Sequence, residues 1–121
     1  MEIILNQKES EDYFYNALCN GLGYIESYGL ILDFDKDAYN KARKDGDCIE
    51  DVLMQMLRNG KALTLVDTEG DESWTITLDD IHNRMNKVPH RYLFEMYKEI
   101  DDATTADGIL QYVFMEDIIF G

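Results

Sequence analysis

The chain has 121 residues and carries 25 Asp and Glu against 11 Lys and Arg, a formal net charge of −14. Such a field repels nucleic-acid phosphates and anionic lipid, so direct nucleic-acid binding and membrane association are excluded first, and it attracts cations and basic protein surfaces. Apolar residues reach 45% and aromatics 12%, which is core material that a disordered acidic tail would lack, so residues 1–121 are expected to form one domain.

Cys19 and Cys48 are too few for a disulfide framework and form no C-x-x-C pair, so both are expected to be reduced and buried. Met1 to Asn6 lacks a positive segment followed by a long apolar one, so no signal peptide is expected. No run approaches the roughly 18 apolar residues of a membrane helix. The expected location is cytoplasmic.

Ser10 can cap a first helix over residues 11–20, with Phe14, Ala17, Leu18, Gly21, Leu22 and Ile25 on one face. Gly21 and Gly23 weaken its continuation, unless they serve close packing of a second element. Leu30 to Phe34 reads as a short strand, and residues 36–44 as a short helix. Ile49, Val52, Leu53, Met56 and Leu57 recur at helical spacing, with Asp47 placed to cap them and Asn59-Gly60 to end them. Ala62 to Val66 and Ser73 to Thr77 flank a polar loop and predict a hairpin, with Trp74, Ile76 and Leu78 on one face. Thr77-Leu78-Asp79-Asp80 is a capping-box start for a helix carrying Ile81 and Met85, which Pro89 breaks. A helix over residues 90–100 follows, then one capped by Thr104 or Thr105 and bearing Ile109, Leu110, Val113 and Phe114. The apolar tail Ile118-Ile119-Phe120 is expected to be buried, either as a strand beside the hairpin or as helix continuing to 118.

Motifs that would carry chemistry are incomplete. Asp33-Phe34-Asp35-Lys36-Asp37 opens like a calcium loop, but Ala38 stands where the turn needs Gly and Lys44 where a bidentate Glu is required. A register starting at Asp67 places Leu78 at the twelfth position and fails likewise. His82 and His90 are the only histidines and lie far in sequence from either cysteine. They read as one surface histidine on an amphipathic helix and one near a helix start, and no metal site is expected. Cys48 lies at a helix N-terminus, which favours thiolate, yet Asp45, Asp47, Glu50 and Asp51 surround it with charge that opposes thiolate. Among 25 carboxylates no catalytic pair stands out. The tyrosines are expected at the core edge, with Tyr13, Tyr15, Tyr24 and Tyr28 able to leave rings exposed as contact anchors. A protein without catalytic activity or cofactor is expected.

Three stretches carry a resemblance: Asn16 through Gly21 to Tyr24, Trp74-Thr75-Ile76-Thr77-Leu78-Asp79-Asp80-Ile81, and the tail from Asp101-Asp102-Ala103 through Ile109-Leu110-Gln111-Tyr112 to Ile118-Ile119-Phe120-Gly121. In these the chain resembles a group of small acidic proteins encoded by tailed phages, prophages and conjugative elements. It departs from that group at Glu116, where the tail often has Gly, and in a longer, more helical segment over residues 36–61. The resemblance implies a mobile-element origin and a protein that acts on host machinery, and it implies no chemistry.

The charge is unevenly distributed. Residues 62–83 and 99–121 contain no Lys or Arg, whereas the basic residues gather in 36–61 and 84–98. Asp67, Glu69, Asp71, Glu72, Asp79, Asp80, Asp101, Asp102 and Asp107 are therefore the candidate binding residues of an acidic face. DNA presents about one charge per 1.7 Å of duplex, and a face of carboxylates can take its place in a basic cleft. The expected fold is α+β, a small antiparallel sheet with a hairpin over residues 62–77 packed against four or five helices. The expected function is a non-enzymatic binding protein that engages a basic host protein, as a nucleic-acid mimic or inhibitor. Two alternatives stand beside it: an assembly module that self-associates through an apolar patch into a homo-oligomer, and a small ligand- or nucleotide-binding protein or enzyme, which needs a concave polar pocket.

Overall fold

Asn6 starts the first helix four residues before the expected position. Its side chain accepts the Glu9 N–H at 2.8 Å while Glu9 accepts the Asn6 N–H at 3.1 Å, a reciprocal cap. The computed structural model describes residues 4–120. From that cap α1 (Gln7–Ser27) runs through both glycines, so Ser10 is a buried helical residue and no cap. The reason lies in packing. A Cβ on Gly21 would stand 2.9 Å from the Ala106 carbonyl carbon, so this glycine lets α1 touch the helix that contains Ala106. The close contact offsets the roughly 1 kcal/mol that Gly costs inside a helix.

The elements that follow are β1 (Leu30–Asp33), α2 (Lys36–Ala42), α3 (Ile49–Arg58), β2 (Leu63–Asp67), β3 (Ser73–Ile76), α4 (Leu78–Met85), α5 (His90–Tyr97) and α6 (Ala103–Met115). The α+β class and the small antiparallel sheet are as expected, with six helices among the described residues instead of four or five. The strands run in the order β1-β2-β3, every neighbour antiparallel. The third strand is thus β1, and the carboxyl-terminal tail does not join the sheet.

Side-chain alternation sets the two faces of the sheet. Leu30, Leu63, Leu65 and Ile76 are buried against the helices with Trp74 half-buried beside them, while Ile31, Ser73 and Thr75 are exposed on the other face. Opposite them α6 is the central helix, buried along almost its whole length from Thr105 to Met115. α1 lies along one side of it, with the Phe14 and Phe114 rings 6.2 Å apart. On another side the Tyr92 ring rests where a Cβ of Gly108 would be, at 2.6 Å.

The starts of α3 and α6 differ from expectation because another side chain supplies the cap. Cys48, not Asp47, precedes α3, with its N–H bound by Asp51 at 3.2 Å. Asp102, not a threonine, caps α6 through Thr105 N–H at 3.0 Å. Thr77 with Asp80 starts α4 as read from the sequence, and Pro89 separates α4 from α5. α5 ends at Tyr97 instead of 100, where Glu99 turns left-handed at φ 57°. After α6 the chain turns at Glu116, φ 59°, and residues 117–120 are neither strand nor helix.

Candidate functional site

A polar network is buried between α6, the α1–β1 turn and the tail. Asp107 accepts the Tyr28 hydroxyl at 2.8 Å and the Gln111 side-chain amide at 3.0 Å. Gln111 in turn holds the tail, accepting the N–H groups of Ile119 at 2.9 Å and Phe120 at 2.8 Å and donating to the Phe120 carbonyl at 3.0 Å. Phe120 stacks on Tyr28 with centroids 5.1 Å apart. Burial, joined by the bond to Asp107, pushes the Tyr28 hydroxyl up to about 12. Asp107 is only 7% exposed and fully used inside the fold, so it is not part of an acidic surface, as the sequence had suggested.

The other eight candidate carboxylates fall into three places. Glu69, Asp71 and Glu72 are exposed on the β2–β3 loop and make no ion pair with the described residues. Asp67 is half-buried beneath them, and its Oδ1 accepts the N–H groups of Glu69 at 3.0 Å and Gly70 at 3.2 Å, so it shapes the loop. Asp79 and Asp80 stand at the opposite end of β3, where Asp80 caps α4 and lies 3.7 Å from Arg84. Asp101 and Asp102 precede α6. The Thr105 N–H holds the Asp102 carboxyl below its usual range, and a shallow cleft joins Asp102 to Arg91. Of these places, only the hairpin loop gathers three exposed carboxylates without a cationic partner.

That loop is tied to the α1–β1 turn. Thr68 donates both its N–H, at 3.0 Å, and its hydroxyl, at 2.7 Å, to the Gly29 carbonyl, and the Glu69 side chain lies against Gly29. From this turn a groove of about 830 Å³ runs between α1 and β1 to the start of α3. α1 contributes Leu22, Gly23 and Glu26, β1 contributes Ile31 and Leu32, and α3 contributes Ile49 and Glu50. Ile31 is 55% exposed and Ile49 57%. No Lys or Arg lines it. The sequence reading missed this groove. Its signals were a glycine at mid-helix, and isoleucines at an outward strand position and in a helix first turn.

The cysteines are both exposed, which corrects the expectation of burial. Cys19 lines the groove, and Cys48 Sγ lies 3.7 Å from the Tyr15 hydroxyl, which donates to Asp51 at 2.8 Å. Partial burial pushes the Cys19 thiol up, and the Tyr15 bond holds the Asp51 carboxyl below its usual range. His82 is not a free surface residue. Its Nε2 lies 3.0 Å from Glu11, whose other oxygen accepts Arg58 Nε at 3.0 Å. Burial pushes the Glu11 carboxyl up, but the bonds from His82 and Arg58 outweigh it and leave the group below its usual range. His90 is exposed at the start of α5, its ring 6.1 Å from that of Phe94. In the aspartate-rich stretch, Asp35 accepts the N–H groups of Asp37 and Ala38 as the cap of α2, and Asp33 accepts that of Phe34. Those oxygens serve the backbone. No helix among the described residues is long and apolar enough to cross a membrane. No protein-family model, curated protein or solved structure matches this chain.

Proposed function

We propose that this chain is a binding protein without catalytic activity, of the type carried by phages and mobile elements, which engages a basic host protein through the carboxylates of the β2–β3 loop. The observation that carries the reading is the loop itself: Glu69, Asp71 and Glu72 are exposed, free of ion pairs among the described residues, and close to a groove that no cation lines. Unneutralised charge of one sign steers a basic partner to this end and enforces register once it docks. The candidate face is thereby narrower than the nine residues first selected, since Asp67, Asp80, Asp102 and Asp107 spend oxygens on the fold. Occupying a basic cleft in place of nucleic acid is one consequence such a loop permits.

Capture from a bacterial lysate at low salt tests it. The expected result is a basic protein retained by the chain and released near about 0.5 M salt, where screening acts over roughly 4 Å. The triple variant Glu69→Lys, Asp71→Lys, Glu72→Lys should lose that protein and still fold. Asp37→Lys, Asp45→Lys, Glu99→Lys, with the same change in net charge, should keep it. Equal loss in both variants would assign the capture to bulk charge and refute the loop. A salt-insensitive dimer by light scattering, with no captured partner, would favour the assembly module, for which exposed Ile31 and Ile49 supply the apolar contact.

A further inference from the structure

The groove between α1 and β1 is bounded by an unpaired sheet edge. Gly29 O accepts the Thr68 N–H, and in an antiparallel ladder hydrogen-bonded pairs alternate, so Ile31 and Asp33 bond to Val66 and Thr64 while Leu30 and Leu32 turn their N–H and C=O away from β2. Leu30 is fully buried, and the Phe34 N–H is taken by Asp33 at 3.0 Å. One open rung therefore remains at the lip of the groove, the N–H and C=O of half-buried Leu32. Edge strands are commonly blunted by lysine or proline, and β1, Leu-Ile-Leu-Asp, has neither.

We propose that this groove accepts a short extended segment of a basic partner, which pairs its backbone with Leu32 as an added strand and alternates apolar with Lys or Arg side chains. The inference rests on the binding reading above and specifies how the partner is held. An extended segment offers a C=O and an N–H on the same side at the spacing of one rung, which a helix does not, since its backbone groups are already paired. Exposed Ile31, on the outer face of the sheet, covers its apolar side chains, and the basic ones then point into the groove. Glu26 and Glu50 line the groove, and Glu69 lies against Gly29 at its end, so the charge is complementary to a cationic segment and hostile to an acidic one. Gly23 keeps the groove open, because nothing stands within 4 Å of the place its Cβ would take.

Cys19 lies in the groove and reports on occupancy. The probe is an acetylated seven-residue peptide alternating Val and Lys, added to the Cys48→Ser variant, whose serine is itself a good helix cap. The peptide should slow alkylation of Cys19 about tenfold at saturation, the effect expected when nine-tenths of the protein is occupied. The same composition arranged in two blocks, or the alternating peptide N-methylated at every second residue, should leave Cys19 reactive. Gly23→Leu fills the groove at an exposed position where leucine is the better helix former, so it should melt no lower than the parent and lose the protection. Equal protection by the blocked or methylated peptides, or binding undiminished in Gly23→Leu, would overturn the proposal. So would protection that rises with protein concentration in the absence of peptide, which would make a second copy the occupant. If Gly23→Leu still captures the basic lysate protein while the triple loop variant does not, the groove inference fails and the binding reading survives. If neither variant affects capture, both fail.

Discussion

Asp107 shows how little a carboxylate's sequence context says about its task. It lies in a segment devoid of Lys and Arg, yet its two oxygens join Tyr28 of α1–β1 to Gln111 of α6, and through Gln111 to the tail. Burial of this carboxyl group is tolerated because both oxygens are bonded, and leaving a buried polar group without its partner costs about 1–3 kcal/mol. Asp107→Ala leaves the Tyr28 hydroxyl and the Gln111 amide each short of a partner. The expected loss is about 3 kcal/mol in urea denaturation, with partner capture unchanged at protein concentrations where the variant is folded. Replacing exposed Glu69 by Gln should do the reverse, moving stability by less than about 0.5 kcal/mol and weakening capture. Loss of capture in Asp107→Ala while the fold stands would return Asp107 to the acidic surface.

At the scale of elements, two glycines one helical turn or less from each other in α1 have opposite jobs. Gly21 faces α6 at 2.9 Å, and Gly23 faces open groove. Gly21→Ala pushes α1 off α6 and should cost about 1–3 kcal/mol, whereas Gly23→Ala should add up to about 1 kcal/mol, both read from urea midpoints at unchanged slope. The two glycines also mark what periodicity can and cannot tell. Helix propensity alone ended α1 near residue 20, because the compensating contact comes from Ala106, far along the chain. The hairpin and the α4 start were legible, since Thr77 with Asp80 and the strands around the polar loop are local signals. The caps at Cys48 and Asp102 were displaced by a residue or more, because several acceptors compete within one turn and only geometry selects among them. For the tail, periodicity allowed strand or helix, whereas Gln111 supplies the backbone partners that make neither necessary. The groove was not legible at all, since it is made by the relative placement of α1, β1 and α3 and not by any motif.

At the scale of the molecule, a net charge of −14 must be borne by the folded state. Four Lys or Arg ion pairs connect the described residues, and Lys8–Asp12 with 84% and 52% exposed side chains is typical of pairs that contribute little. Caps at Asp35, Asp51, Asp80 and Asp102 spread part of the negative charge onto helix N-termini, where the backbone dipole favours it. The loop carboxylates have no such relief. Repulsion should therefore outweigh ion pairing, and salt should stabilise the fold. Raising sodium chloride from about 0.02 M to 0.5 M shortens the screening length from about 20 Å to 4 Å, and the melting temperature should rise by about 4 °C for each kcal/mol of repulsion removed. The triple loop variant to lysine should start from a higher melting temperature at low salt and respond less steeply, because part of the repulsion is already gone. A melting temperature that falls with salt would mean that the ion pairs of Glu11 and Arg84, and not the unpaired loop, set the electrostatics of the fold.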